Sequence, residues 1–394
     1  MKFAHIADVH LGSWSNHPEL REFPLLAFER ALDTCIEEGV DFILISGDLY
    51  DTSIPPIDIL SRSVAKMKAC KDSDIRIYII AGSHDFSPTG KTMISVLESA
   101  GLVINAARFQ HGFVVDRTGA KITGMFGKAA GLERVNYESM RDAANEDGFK
   151  IFMMHSAIEE FRPPILKNME ALPLSLLPKG FNYYANGHVH ERLVKELDGS
   201  YMVFPGELFP TEFRELEHYD CGFVIVNADG KEVNILHKPI KLCDVEMIEL
   251  DAEGMPSQNV ESNIMKQVES LELNKKILLV KASGTLGNGK PSDINFKSIA
   301  AAAQAKGAFT VKKNFSGLDA KEFKEVEVSV GTMEDLERDI ITKHLQTSSP
   351  FANELNIIFD LMSVLKEEKV EGETDTVFKE RIKSAAKTVV GLDK

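Results

Sequence analysis

The chain is poor in cysteine, in long apolar runs and in positive charge, and each shortage narrows what it can be. Four cysteines, Cys35, Cys70, Cys221 and Cys243, are spread over 394 residues. None forms a CxxC pair, so the spacing offers neither a zinc knuckle nor a disulfide framework. A reducing, cytoplasmic setting is the simplest reading. No run of about 18 apolar residues occurs, and no membrane-spanning helix is expected. A secretory leader is not expected either, because a strand pattern starts at Lys2 and already reaches a metal-type residue at Asp8. Lys and Arg total 45 against 60 Asp and Glu, a net charge of −15. That balance speaks against coating nucleic acid non-specifically. It leaves room for a local DNA channel, since bound metal ions bring positive charge of their own.

What is present is a globular composition, 44% hydrophobic, at a length that suggests two or three domains. Residues 2–7 read as a strand feeding the Asp8 loop. Phe28, Ala31, Leu32, Cys35 and Ile36 follow helical spacing with one buried face. FILIS (42–46) is an apolar run of strand length, Pro55–Met67 reads as a helix with prolines at its start, and IRIYIIA (75–81) is another buried strand. A helix is expected near Gly90–Ser99. KIFMM (150–154) and Tyr183–Ala185 repeat the strand pattern, and Tyr201–Phe204 and Gly222–Asn227 read as strands completing a second sheet. The expected fold is α/β, a two-layer mixed β-sandwich flanked by helices, with a small α+β capping domain and a C-terminal helical segment. The boundaries read as 1–241, 242–331 (strand-like VEMIEL, KILLVKAS, FTVKK and VEVSV) and 332–394. In the last segment, Leu355, Ile358, Leu361, Met362 and Leu365 form one helical stripe, and Phe378, Ile382, Ala385 and Val389 another, across the charged stretch Lys366–Asp375. Two such helices suit partner docking or packing back on the body.

Five segments carry polar residues where an apolar run ends: Asp8-x-His10, Gly47-Asp48, Gly82-Ser83-His84-Asp85, His155, and Gly187-His188-x-His190. Taken singly, His155 would be a packed histidine, and Asp8 or Asp48 a turn residue or helix cap. Taken together, in loops that an open α/β sheet gathers at the carboxyl ends of its strands, they suit two divalent cations hydrolysing a phosphate ester. Asp48 is the candidate bridge. Asp8, His10 and His190 would complete one ion, and Ser83, His155 and His188 the other. His84 would protonate the leaving oxygen, oriented by Asp85. Mixed histidine and carboxylate donors suit Mn, Fe or Zn better than Mg. The other histidines (His5, His111, His218, His237 and His344) lack this context and read as structural.

At these residues the chain resembles the calcineurin-like metallophosphoesterase superfamily, whose pattern runs D-x-H, G-D, G-N-H-D/E, H, G-H-x-H. Within it, the chain is most similar to the nuclease subunit of the double-strand-break repair complex, the SbcD or meiotic recombination eleven type. FAHIADVHLGSW, FILISGDLYD, Gly82–Asp85, GFNYYANGHVHER and the FPGEL stretch at Phe204–Leu208 carry that likeness, which is specific over roughly residues 1–215. The resemblance implies exonuclease and endonuclease activity on DNA ends with two Mn²⁺ ions, a homodimer, and an SMC-like ABC ATPase of the SbcC type bound by the C-terminal helices. It implies that Asp8, His10, Asp48, His155, His188 and His190 are metal ligands and that His84 is the catalytic histidine. His17 and Arg21 are candidate DNA contacts or solvated helix-entry residues. Pro24–Glu38 and Ile54–Met67 are candidate dimer surfaces. Ser83 departs from the pattern: the expected Asn offers a carbonyl oxygen, whereas a serine hydroxyl is shorter and a poorer donor. Two other functions compete, a phosphodiesterase for small substrates and a catalytically weakened subunit that binds DNA ends. The long segment from 242 onward favours the nuclease over the first of these.

Overall fold

The computed structural model describes residues 1–85, 92–109, 112–127, 146–163, 166, 168–230, 232–320, 354–367, 369, 373 and 375–390. Its centre is a pair of six-stranded sheets. The first contains β1 (Lys2–Ile6), β2 (Phe42–Ser46), β3 (Arg76–Ile80) and β4 (Ile104–Asn105), all parallel. The second has a parallel core of β6 (Lys121–Gly124), β7 (Lys150–Met153), β8 (Tyr183–Ala185) and β10 (Ser200–Phe204). It is edged by antiparallel β5 (Val114–Val115) and β9 (Leu193–Leu197).

The apolar runs form strands because both of their faces are buried. Along β2, Phe42 and Leu44 point into the core between the sheets, with Ile122, Ile151, Met153 and Tyr183. Ile43 and Ile45 point the other way, into a core with Phe28, Ala31, Leu32 and Cys35 of helix α1 (Phe23–Glu37) and Ile59, Met67 and Cys70 of helix α2 (Ile57–Asp72). The outer face of the second sheet is covered in the same way, with Phe152, Met154, Met202 and Phe204 packed on Leu172, Leu177 and Phe181. Helix α2 begins one residue after Pro56, which suits a first turn that needs no N–H donor. Helix α3 (Met93–Ser99) starts with a capping box in which Thr92 and Ser95 exchange side-chain to backbone bonds. Residues 90–91 of the helix expected there lie outside the described residues.

One strand assignment is corrected. The strand that begins at Gly222, β11 (Gly222–Asp229), does not complete the second sheet. It pairs antiparallel with β1 in the first sheet and carries β12 (Glu232–Pro239) as its edge. Its alternating Phe223 and Ile225 meet the helix-side core while Val224 and Val226 meet the inter-sheet core. That double burial would suit a strand of either sheet, so the pattern alone cannot choose.

By contacts the chain divides into two compact units. One comprises 1–249, 263–281 and 296–314, and the other 250–262, 282–295 and 315–394. A third sheet has the order β13 (Asp244–Asp251), β14 (Lys276–Leu286) and β15 (Thr310–Ala320). The strand expected at VEVSV and the boundary at 331/332 lie outside the described residues. In the second unit, helices Glu354–Leu365 and Asp375–Val389 pack on each other. Phe378, Ile382, Ala385 and Val389 are half-buried, and Arg381 bonds Glu373 and Glu367. The side chains of Leu355 and Ile358 lie outside the described residues.

Candidate metal centre

The five loops leave the carboxyl ends of β1, β2, β3, β7 and β8, which are neighbours within the two sheets. The β1 and β2 loops are zipped together: Val9 and His10 N–H donate to the Asp48 carbonyl at 2.9 and 3.0 Å, and Leu11 N–H to that of Leu49 at 3.0 Å. Glycine permits the closest approaches. At Gly47, with φ +87°, a Cβ would lie 2.2 Å from His155 Nδ1, and at Gly82 one would lie 2.2 Å from Asp48 Oδ1. Of nine described non-glycine residues with positive φ, five are Asp8, His10, Asp48, His188 and His190. Such backbone is uncommon and persists where the surroundings impose it, most often at functional sites.

Two clusters of donor atoms result, each within 4.8 Å: Asp8, His10 and His190 in one, and Asp48, His155 and His188 in the other. Asp48 also lies within 4.8 Å of His10 and His84, which places its carboxylate between the clusters. His10 Nε2 faces His190 Nε2 at 3.1 Å, and His155 Nε2 faces Asp48 Oδ2 at 3.0 Å. Hydrogen bonds on the far side of each ring decide what faces inward. His155 Nδ1–H donates to the Ser46 carbonyl at 2.8 Å, and His190 Nδ1–H to Glu215 Oε1 at 2.8 Å, so in the neutral rings both Nε2 atoms present lone pairs. Lone pairs facing lone pairs in a buried setting call for a cation between them. Two nitrogens each about 2.1 Å from one metal, at near right angles, stand about 3 Å apart. The residues present therefore fit divalent metal.

The electrostatics couple the same groups, and binding of an ion must displace the second proton that Asp48, Glu207 and Glu215 favour on His155 and His190. Burial raises the Asp48 carboxyl, but the His155 charge and hydrogen bond, with His10 and His84, more than offset it and hold it well below the usual carboxylate range. Burial lowers the His155 imidazole, yet the Asp48 carboxylate overcomes this and lifts it to about 9. His188, buried and beside His155, is pushed down to about 3, which keeps it a neutral donor. His190 is raised in spite of burial by its bonds to Glu207 and Glu215.

Ser83 lies beside the second cluster. Its hydroxyl is directed at Asp48 Oδ2, a long contact of 3.4 Å. His84 presents its ring at the mouth of the site, 48% exposed, edge-on to His10 at 4.8 Å. The expected role of Asp85 is corrected. Its buried carboxylate does not orient His84 but accepts three backbone N–H bonds, from Leu49 and Tyr50 at 3.0 Å and from Gly82 at 3.1 Å. It thereby ties the β3 loop to the β2 loop, because a buried carboxylate beside unpaired backbone donors bonds them first. Burial and the nearby Asp48 push Asp85 up to about 6. His84 is oriented instead by Asp51, whose carbonyl lies 2.9 Å from His84 Nδ1. Three further residues act behind the ligands: Asp51, whose carboxylate stands 3.4 Å from His10 Nδ1, and Glu215 and Glu207 around His190. No spacing along the chain signals Glu215, whereas Glu207 lies in the FPGEL stretch. Of the candidate DNA contacts, Arg21 pairs with Asp58 and His17 meets Trp14 edge-on, so neither joins the clusters.

A family model described as calcineurin-like phosphoesterase matches residues 1–192, the stretch that contains every one of these donors. The chain carries a calcineurin-like phosphoesterase domain. The DNA double-strand break repair protein Mre11 of Sulfolobus acidocaldarius is 26% identical to this chain over 387 residues, covering 94% of this chain and 97% of that protein. The protein of the same name from Methanocaldococcus jannaschii is 27% identical over 274 residues, 66% of this chain and 69% of its own. That of Archaeoglobus fulgidus is 27% identical over 293 residues, 66% of this chain and 65% of its own. The phosphoesterase domain thus supplies a metal-dependent hydrolytic centre, and the Sulfolobus relative extends the similarity through the segments beyond it. No described helix is long and apolar enough to cross a membrane.

Proposed function

We propose that the chain is a metal-dependent DNA nuclease, an exonuclease and endonuclease acting on DNA ends in double-strand-break repair. The similarity to one repair protein over 94% of the chain carries this reading, because it includes segments that a small-substrate phosphodiesterase would not need. In this reading the centre would take two Mn²⁺ ions: Asp8, His10 and His190 would hold one, His155 and His188, with Ser83 as a weak donor, the other, and Asp48 would contribute to both. Bound divalent metal supplies Lewis acidity toward the phosphoryl oxygens and lowers the pKa of the attacking water. The chain's own residues supply orientation. Ser46 and Glu215 lock the tautomers of His155 and His190, and Asp8 accepts the His188 N–H at 2.9 Å. His84, held at Nδ1–H by the Asp51 carbonyl and open to solvent, as the imidazolium would donate the Nε2 proton to the leaving oxygen and be left as the neutral Nδ1–H ring.

The helices Glu354–Leu365 and Asp375–Val389 dock an SMC-like ABC ATPase in this reading, supported by exposed Ile357, Leu365 and Val377 on them. A homodimer through the α1–α2 region is supported by Ile54 and Ile57, both 83% exposed. The protein works in the cytoplasm, at the nucleoid in a prokaryote, consistent with four free, buried cysteines. The test compares, at equal Mn²⁺, hydrolysis of linear duplex DNA with that of bis-p-nitrophenyl phosphate. Preference for DNA supports the nuclease, and turnover of the small ester alone overturns it.

A further inference from the structure

Asn186 lies fully buried at the carboxyl end of β8, one residue before Gly187. Its Oδ1 accepts from Ser156 N–H at 3.1 Å and from Gly187 N–H at 2.9 Å, and its Nδ2 donates to the Ser156 carbonyl at 2.9 Å. The pattern fixes the amide's orientation: turned over, it would set NH₂ against two N–H donors and oxygen against a carbonyl. Among side chains of this size only an amide satisfies all three groups. The residues it joins adjoin two candidate ligands, since Ser156 follows His155 and Gly187 precedes His188. Those imidazoles stand 5.1 Å apart between ring centroids and share a cluster with Asp48. His188 has φ +88°, a conformation that its surroundings must impose. Beside the same cluster, Ser83 offers only a hydroxyl directed at Asp48.

We propose that Asn186 is the positioning residue of the second metal: its amide clamps the His155 loop to the His188 loop and holds both imidazoles within reach of one ion without a strong donor at position 83. The inference rests on the two-metal reading above. Residues that hold ligands from behind typically govern metal affinity by about 10–100-fold.

The test is Mn²⁺ titration of the full chain by calorimetry, with electron paramagnetic resonance of the coupled ion pair and circular dichroism for the fold. Wild type should bind two ions. Asn186→Leu should weaken one of them about 10–100-fold and extinguish the coupled signal, with the other ion unchanged. Asn186→Asp, which keeps both accepted bonds and loses the donated one, should fall between, and Ser83→Asn should restore the second ion in either background. If wild type binds fewer than two ions, the two-metal reading fails and the inference with it. If wild type binds two and both variants bind them unchanged, or weaken both ions equally, the inference alone is overturned. If Asn186→Leu does not fold, Asn186→Asp decides by the same criteria. If neither variant folds, Asn186 maintains the fold rather than the metal, and the inference is overturned.

Discussion

Glu215→Gln tests whether the first metal depends on a proton held behind its ligand. Glu215 Oε2 accepts from Thr211 N–H at 2.7 Å, Glu212 N–H at 2.8 Å and the Thr211 hydroxyl at 2.9 Å, while Oε1 accepts from His190 Nδ1 at 2.8 Å. A glutamine has one oxygen for these two sides. Two backbone donors against one ring donor keep that oxygen at the cap and turn the NH₂ toward His190. The imidazole must then release its Nδ1 proton and protonate Nε2, the atom that faces His10. Glu207 stands 3.1 Å from the same nitrogen, raised to about 8 by burial, and can ionise to take over. The single variant should therefore lose about tenfold in affinity for one Mn²⁺, and Glu207→Gln with Glu215→Gln about a hundredfold, or about 1.4 and 2.8 kcal/mol. Because the cap persists in Glu215→Gln, thermal stability should change by less than about 1 kcal/mol. Calorimetric Mn²⁺ titration with a parallel thermal melt reads both quantities. Unchanged affinity in the double variant would refute the tautomer argument.

Ser83→Asn should tighten the second Mn²⁺ by offering a carbonyl oxygen where the hydroxyl now faces Asp48, and equal affinities by calorimetry would end that idea. His5, fully buried, is pushed down to about 3, chiefly by desolvation. The unfolded chain takes up that proton below about 6.5 and the folded chain does not, so this stability is present above about pH 6.5 and is lost as pH falls toward 3, at up to about 1.4 kcal/mol per unit. Urea midpoints at pH 7.5 and pH 5 should show the loss in wild type and a smaller one in His5→Gln. Replacing Phe378 and Ile382 with Asp should abolish co-purification of the ATPase and leave Mn²⁺ binding intact, whereas unchanged co-purification would assign those helices to the protein's own fold.

The strands and their ligand loops were legible because β2, β3, β7 and β8 are buried on both faces, which leaves short apolar runs with abrupt polar ends. The sheet to which β11 belongs was not legible, since its burial suits either sheet. The donor residues could be read from spacing because each sits at a strand end. Their supporters could not. Glu215 lies 25 residues beyond His190 and also closes a capping box on Glu212. Asp85 beside a histidine suggested a partner for that ring, but three unpaired backbone N–H groups claimed its carboxylate. Asn186 in YYANGHVH reads as a turn residue until Ser156 is brought beside it.

The central claim is tested most directly by digestion of end-labelled linear duplex DNA by the purified chain with Mn²⁺, beside a His84→Ala control. The account predicts Mn²⁺-dependent shortening of the labelled strand that is lost in the control while Mn²⁺ binding persists. No digestion, alone or with the ATPase, or digestion that survives His84→Ala, would contradict it.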